Sequence, residues 1–273
     1  MSVVDSNRRL LLKALLASPL YTFAPSLQAV TQGDIDAFSA DRYWQRYLQG
    51  RFPVNNTMVI RHENRQCEQA LQEIAAPIMA MSTRKHLDWR MGLLHAGPPN
   101  AFTPGGGVIF VLDSLIAFCD TEAELASVIA HEVGHVEHRH AIRRIYSQGI
   151  LAEMGIDTNW DTQKVISAFK DRQYELVSQK LAYKSYQRLW EHQADAYIVR
   201  AFRHLGYPMV NAYSFFEKLL QVYADSSPGL CIFGSHPQVK ERIQRIKGLG
   251  RAYGKQARKG DSEAFKYLKA TLN

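Results

Sequence analysis

The sequence predicts an α+β fold that is mainly helical, and three observations support this fold class. Apolar residues recur at helical spacing over most of the chain, whereas residues 88–118 carry apolar runs separated by Gly and Pro. The chain has 273 residues with 46% hydrophobic composition, which is ample for one buried core, and no internal repeat is visible. We therefore expect a single domain over residues 30–273 that ends in a basic helical tail.

The first 29 residues differ in kind from the rest and resemble an export signal. A pair of arginines, Arg8 and Arg9, precedes a modest apolar stretch, and Ala29 offers a small residue at a cleavage point. The pair resembles a twin-arginine signal, and an ordinary secretory signal is the alternative. Because the apolar stretch is short and interrupted, it is a poor membrane span. We expect a periplasmic protein that is soluble after the signal is removed.

Spacing and end signals predict helices over most of the remaining chain. The predicted segments are 34–48, 64–81, 121–146, a long segment reaching residue 204, 211–223, 238–249 and 262–272. Two apolar runs, 89–94 and 108–112, indicate β-structure before the third of these helices. An exposed strand edge there could hold an extended peptide by main-chain hydrogen bonds. A plain hairpin with a Gly-rich turn is the alternative.

The most informative segment is H-E-V-G-H, from His131 to His135. Two histidines four residues apart lie on one face of a helix, so both imidazoles can reach one metal ion. Glu132 is then able to take a proton from a water bound to that ion. Thr121 and Glu124 form a T-x-x-E capping box that predicts where this helix begins. A buried helix with two satisfied histidines is the alternative interpretation.

A zinc hydrolase needs a third protein ligand besides the two histidines. The metzincin arrangement is excluded, because His138 and Ala141 stand where it needs Gly and His. The gluzincin arrangement takes a Glu from a later helix, and Glu191 and Asp195 share one helical face. Asp195 could accept a hydrogen bond from the far nitrogen of a ligating histidine. A solvated charged helix is the alternative.

These motifs resemble those of a known family. H-E-V-G-H-V-E-H-R-H followed by R-L-W-E-H-Q-A-D is similar to the gluzincin metallopeptidases that include HtpX and the CAAX prenyl proteases, especially the soluble periplasmic members of the BepA/LoiP type. A block beginning at Asn100 and a block with His236 and Arg242 match in family order, whereas Gln187 stands where the family often has Ser. The resemblance covers roughly residues 88–250. It implies a zincin-like fold with an active helix, a second ligand helix and a small β-sheet beside the cleft.

The resemblance also implies roles for the site residues. One Zn²⁺ per chain would be held by His131, His135 and Glu191, with Glu132 as catalytic base and Asp195 as support for a ligand. His236 would be an oxyanion donor, an inhibitory ligand or a helix cap. Arg242 could share the oxyanion role, and Asn100 is a candidate for substrate binding. We interpret His138 and His192 as solvent-facing or structural, and His140 as structural.

The function that these residues favour is a zinc-dependent endopeptidase. Its expected substrates, unfolded or misassembled cell-envelope proteins, come from the resemblance alone. The competing hypothesis is an envelope chaperone or assembly factor of the same fold with low or latent proteolytic activity.

Charge and cysteine content add weaker expectations. The formal net charge is +7, and the segment from residue 240 onward carries ten Lys or Arg against three acidic residues. Contact of this basic tail with a membrane surface is a hypothesis, and no motif supports nucleic-acid binding. Three cysteines, Cys67, Cys119 and Cys231, allow one disulfide whose pairing the sequence leaves open, and three buried free thiols are the alternative.

Overall fold

The computed structural model describes residues 32–54, 57–95, 97–147, 188–223, 239–251 and 259–272. The described helices are α1 Gln32–Leu48, α2 Arg65–Met79, α3 Asp113–Phe118, α4 Glu122–Glu137, α5 His140–Ser147, α6 Arg188–Leu205, α7 Asn211–Tyr223, α8 Val239–Arg251 and α9 Glu263–Leu272. The strands are β1 Arg51–Val54, β2 Thr57–Arg61, β3 Arg90–His95, β4 Ala101–Gly105 and β5 Val108–Leu112. A mainly helical fold with a small mixed sheet is thereby confirmed.

The sheet has the strand order β1-β2-β3-β5-β4. The two predicted apolar runs become β3 and β5, which pair parallel from Arg90 opposite Val108 to Leu94 opposite Leu112. They are parallel because β4 lies between them in the chain and forms the antiparallel hairpin with β5. The predicted hairpin forms around the Gly-rich turn between β4 and β5. The two apolar runs pair parallel and do not form a hairpin with each other. Pro104 stands in β4 at the edge of the sheet, where a missing N–H donor is tolerated.

Helix α4 lies at the centre of the fold, packed by α2, α6, α7 and β4. Thr121 caps it by accepting a hydrogen bond from the Glu124 amide at 3.2 Å, as the capping box predicts. The Glu124 carboxylate accepts a hydrogen bond from the Asp120 amide at 2.8 Å. A standard capping box would use the Thr121 amide, one residue later. All residues of α4 except Glu137 are buried. The fold therefore encloses this helix on all sides.

The predicted continuous helix over 121–146 is wrong, because the chain breaks between α4 and α5. His138 ends α4, and Arg139 adopts a φ of 55° before α5 begins at His140. A non-glycine residue rarely adopts this left-handed conformation, and it ends a helix by reversing the local chain direction. The break redirects His140 towards His135.

Helix α1 is tied to the Gly-rich turn and to the far end of α4 through Asp36. The Asp36 carboxylate accepts a hydrogen bond from the Gly106 amide at 2.8 Å and forms an ion pair with Arg84 at 2.6 Å. Arg84 in turn donates to the Val136 carbonyl at 2.8 Å. Gly106 has a φ of 55°, and a Cβ there would lie 2.4 Å from the Ala40 Cβ, so the turn needs glycine for both conformation and space.

The C-terminal segment is held to the start of α4 by the buried carboxylate of Glu122. The Tyr207 hydroxyl donates to this carboxylate at 2.5 Å, the Ser262 amide donates at 2.8 Å, and the Lys259 ammonium lies 3.2 Å away. Burial alone would raise the pKa of Glu122, but the hydrogen bonds from Ser262 and Tyr207 and the Lys259 charge outweigh it and lower the pKa below its usual 4.5.

Replacing Glu122 with Gln should lower the free energy of unfolding by about 1–3 kcal/mol at neutral pH. Because the pKa of Glu122 is lower in the folded than in the unfolded state, its charge stabilises the fold above pH 4.5. That contribution is lost as the pH falls from 4.5 through the folded-state pKa. Urea unfolding of both proteins over this pH range checks the prediction. A stability difference that does not shrink towards acid pH would contradict it.

Two of the three cysteines lie among the described residues. Cys67 and Cys119 are buried free thiols, so they do not pair with each other, and Cys231 lies outside the described residues. The predicted export signal and the part of the long helical segment before Arg188 also lie outside them. None of the described helices combines the length and apolar character needed to cross a membrane.

Candidate active site

The two motif histidines and the carboxylate of Glu191 lie close together. The Nε2 atoms of His131 and His135 lie 2.9 Å apart on α4. Nε2 of His131 lies 3.5 Å from Oε2 of Glu191 on α6, and Nε2 of His135 lies 3.5 Å from Oε1 of the same carboxylate. Ligands about 2.0–2.1 Å from a tetrahedral zinc are separated by about 3.3–3.4 Å. The three separations are close to this value, so these residues fit a zinc ion in both donor type and spacing.

Glu132 stands beside the ligands and is fully buried. One ligand atom from each of His131, Glu132 and His135 lies within 4.8 Å of the others. Burial is the largest cause that raises the pKa of Glu132, to about 8, and the Glu191 charge adds to it. A divalent cation beside the carboxylate acts in the opposite direction. Glu132 is therefore a group whose proton affinity depends on the charge placed next to it, as a general base requires.

Asp195 contacts the first histidine of the motif. Its Oδ1 lies 3.0 Å from Nδ1 of His131, so the N–H at Nδ1 donates to Asp195 and Nε2 faces His135 and Glu191. Burial alone would raise the pKa of Asp195, but the Arg242 charge and the hydrogen bond from His131 lower it below its usual value. Asp195 is therefore a carboxylate throughout the neutral range. The predicted supporting role of Asp195 stays a prediction, to which this contact lends support.

His131 itself is subject to opposing effects. Its burial and the Arg242 charge act to lower its pKa, whereas hydrogen bonds with Asp195 and Glu191 raise it, with a net value of about 9. A proton and a divalent cation compete for the same Nε2 lone pair. Metal binding at this site is therefore expected to release a proton.

The second histidine has a partner that the sequence did not identify. Nδ1 of His135 lies 2.8 Å from Nδ1 of His140, and Nε2 of His140 lies 2.9 Å from Oε1 of Gln193. Burial lowers the pKa of His140 to about 3, so its ring is neutral. The interpretation of His140 as structural missed this contact. The only signal in the sequence was its place in the R-H pair that resembles the family motif.

Arg242 lies between the carboxylates of Glu191 and Asp195. It is fully buried on α8, its Nη1 lies 3.1 Å from Glu191 Oε2, and its Nε and Nη2 donate to the Asp195 carboxylate at 3.0 and 2.7 Å. The two carboxylates hold the guanidinium because a buried charge needs opposite charge around it. Arg242 is therefore paired with the carboxylates of Glu191 and Asp195, and its oxyanion role stays a prediction.

The remaining predicted residues lie around this centre or outside the described chain. Asn100 is buried just before β4, and among the described residues its Oδ1 has no hydrogen-bond partner. His138 ends α4 with its amide on the Gly134 carbonyl, and His192 lies 3.4 Å from Glu241, so neither joins the ligand atoms. His236 lies outside the described residues.

The two ligand helices α4 and α6 meet at Gly134, the fourth residue of the H-E-V-G-H motif. A Cβ at this position would lie 2.7 Å from the Ala194 Cα and 3.0 Å from both the Ala194 carbonyl oxygen and the Tyr197 Cβ. The close approach brings Glu191 and Asp195, one on either side of Ala194, to the histidines of α4. The glycine in the motif therefore sets the distance between the two halves of the site.

Comparison with known proteins gives an independent result. The model of peptidase family M48 matches residues 62–249 of this chain. The mitochondrial metalloendopeptidase OMA1 of Schizosaccharomyces pombe is 24% identical over 176 residues, which are 62% of this chain and 49% of that protein. The beta-barrel assembly-enhancing protease of Escherichia coli is 24% identical over 210 residues, 74% of this chain and 41% of that protein.

A third relative is the metalloprotease LoiP of Escherichia coli. It is 26% identical over 152 residues, which are 54% of this chain and 57% of that protein. The chain thus spans about half the length of the curated relatives it matches. The matched family region contains every predicted site residue from Asn100 to Arg242.

Proposed function

Because this chain belongs to peptidase family M48, and so to a family of metalloproteases, we propose that it is a zinc-dependent endopeptidase of unfolded or misassembled cell-envelope proteins. The resemblance inferred from the sequence motifs is thereby confirmed. The observation that carries the proposal is the convergence of the Nε2 atoms of His131 and His135 with the Glu191 carboxylate, next to the buried carboxylate of Glu132.

The proposed roles follow from what each side chain can do. When bound by His131, His135 and Glu191, Zn²⁺ would lower the pKa of a water to about 7 and polarise a peptide carbonyl. Glu132 takes the proton of the attacking water and delivers it to the leaving amine nitrogen. Asp195 keeps His131 in the tautomer whose Nε2 carries a lone pair. Burial of all these groups strengthens their electrostatic interactions.

The sheet supports a proposal for how a peptide is held. Strand β4 forms one edge of the sheet and packs against α4, so an extended substrate pairing with this edge would lie beside the ligand helix. Pro104 has no N–H, so the pairing would use the first half of β4, from Ala101 to Thr103. Ala101 and Thr103 are buried, so this edge would have to be uncovered before a peptide pairs with it. Asn100 immediately precedes that half and remains our candidate for binding a substrate amide.

An oxyanion donor is also required by the proposed mechanism. We keep His236 in this role, with inhibitory coordination as the alternative. The geometry of Arg242 favours His236 over Arg242, because the guanidinium already binds the carboxylates of Glu191 and Asp195.

The envelope location and the partners are further parts of the proposal. Two relatives are bacterial proteases, and the name of one of them refers to β-barrel assembly. Together with the arginine pair near the start of the chain, this supports a periplasmic location. The basic tail is a weaker argument for membrane contact, because several of its cations have partners within the protein: Arg242, Lys247, Lys259, Lys266 and Lys269. Salt-dependent sedimentation with anionic liposomes tests that contact.

The proposed function is tested by metal content and casein cleavage in one preparation. Purified protein should contain one zinc per chain by elemental analysis and should cleave casein, which lacks a stable fold. Treatment with EDTA should reduce the initial rate by about tenfold or more, and stoichiometric Zn²⁺ should restore it. Cleavage that is insensitive to the chelator, or a folded protein that takes up no zinc, would refute the proposal.

The same experiment separates the competing function. A protein that binds zinc and suppresses aggregation of an unfolded client, but does not cut casein, would support the chaperone or assembly factor. If only a variant of His236 cuts, the native protein is held in a resting state by that residue.

A further inference from the structure

We propose that His140 and Gln193 fix the tautomer of His135 and thereby present its Nε2 lone pair to the metal. This inference rests on the proposed zinc site and adds two positioning residues to it. Neither residue touches the ligand atoms of the site, but both lie in a hydrogen-bonded chain that ends on His135.

The donor and acceptor in each of these hydrogen bonds follow from Gln193, the last residue of the series. Oε1 of Gln193 can only accept, so the Nε2 of His140, 2.9 Å away, must donate to it. A neutral imidazole carries one N–H, so Nδ1 of His140 is then an acceptor. The Nδ1 of His135, 2.8 Å from it, therefore carries the hydrogen, and Nε2 of His135 is left with its lone pair. This Nε2 is the atom that faces His131 and Glu191.

The break between α4 and α5 makes this contact possible. In an uninterrupted helix, a residue five positions after His135 would lie about 140° around the axis from it. The left-handed conformation of Arg139 ends α4 and turns His140 back towards His135. The ring of His140 is then fixed by stacking on Trp190 of α6, with 5.2 Å between ring centroids and an interplanar angle of 5°.

The two ligating histidines are therefore oriented by different chemistry. His131 donates to the carboxylate of Asp195, whose charge is balanced by Arg242. His135 donates to a neutral ring backed by a neutral amide. A second orienting carboxylate would add another buried negative charge beside Glu132 and Glu191, and the free energy of burying charge disfavours it. The neutral chain orients the ligand without that cost.

The test replaces His140 by two residues that separate packing from hydrogen bonding. His140→Phe keeps an aromatic ring on Trp190 but removes the acceptor, whereas His140→Asn keeps a short acceptor and removes the ring. The Kd for Zn²⁺, measured by competition with a chromophoric chelator, should rise about 10–100-fold for His140→Phe and much less for His140→Asn. The visible spectrum of the Co²⁺-loaded protein should change in the same order.

A second pair of variants tests Gln193, the last residue of the hydrogen-bonded series. Gln193→Leu cannot accept the hydrogen bond from His140 and should bind zinc more weakly than the native protein. His192→Asn, on the neighbouring residue of α6, is the matched control and should leave zinc affinity unchanged. Thermal unfolding of each metal-depleted variant reports whether its fold is intact.

The outcomes separate this inference from the proposed function. Native zinc affinity in His140→Phe and Gln193→Leu would show that both residues only pack, and would overturn the tautomer inference while leaving the zinc site standing. Equal losses in His140→Phe and His140→Asn would also overturn it, because the stacking alone would then account for the effect. Absence of zinc binding in the native protein would refute both.

Discussion

Replacing Glu132 with Gln is expected to abolish peptide hydrolysis while leaving zinc bound. Gln has nearly the same shape as Glu but cannot take a proton from water, and loss of a general base costs about 10²–10⁴-fold in rate. Glu132 is fully buried, so solvent has little access to replace its function. The initial rate of casein cleavage and the zinc content of the same sample measure the two effects.

Glu191→Gln is the variant to compare with Glu132→Gln. It removes a charged ligand and leaves Arg242 with one carboxylate fewer, so we expect zinc content and activity to fall together. If Glu132→Gln also lost its zinc, Glu132 would be serving to hold the metal. If it kept native activity, the general base would have to be sought elsewhere.

Gly134→Ala should weaken zinc binding, although Gly134 carries no functional group. The added Cβ would meet the Cα and carbonyl oxygen of Ala194 at 2.7 and 3.0 Å, and backbone atoms cannot rotate away. The helices α4 and α6 must then separate, which draws Glu191 away from the histidines. We expect zinc affinity to fall about tenfold or more, and overpacking to cost about 1–3 kcal/mol of unfolding free energy.

A matched glycine is available as the control for Gly134→Ala. Gly248 lies in α8, and a Cβ built there meets no atom within 4 Å. Gly248→Ala should therefore raise the unfolding free energy by about 0.5–1 kcal/mol through helix propensity and leave zinc affinity unchanged. Competitive zinc titration and urea unfolding of both variants check the pair. A Gly134→Ala protein with native zinc affinity would mean that the helices can separate without moving the ligands.

Local patterns predicted the parts of the site that local spacing determines. The four-residue spacing of His131 and His135 places their Nε2 atoms 2.9 Å apart, and the same spacing puts Glu191 and Asp195 on one face of α6. Capping at Thr121 set the start of α4 correctly. Each of these features depends only on residues within one or two helical turns.

Features that depend on contacts between distant parts of the chain could not be predicted from the sequence. No Gly or Pro marks the break at Arg139 in the sequence. His140 was therefore expected to continue the helix, and its contact with His135 was not predicted. The position of Arg242 follows from the packing of α8 against α6, which no periodicity encodes. Strands β1 and β2 are short, and Pro53 in β1 weakens the strand signal there.

The bond network of Asp36 bears on where this domain should be considered to start. The family match begins at residue 62, yet Asp36 is the buried counterion of Arg84, and Arg84 binds the last turn of α4. A shortened protein beginning at residue 62 would leave a buried guanidinium without its carboxylate, at a cost of about 3–5 kcal/mol. The functional unit for recombinant work therefore begins no later than α1, thirty residues before the boundary that similarity alone would suggest.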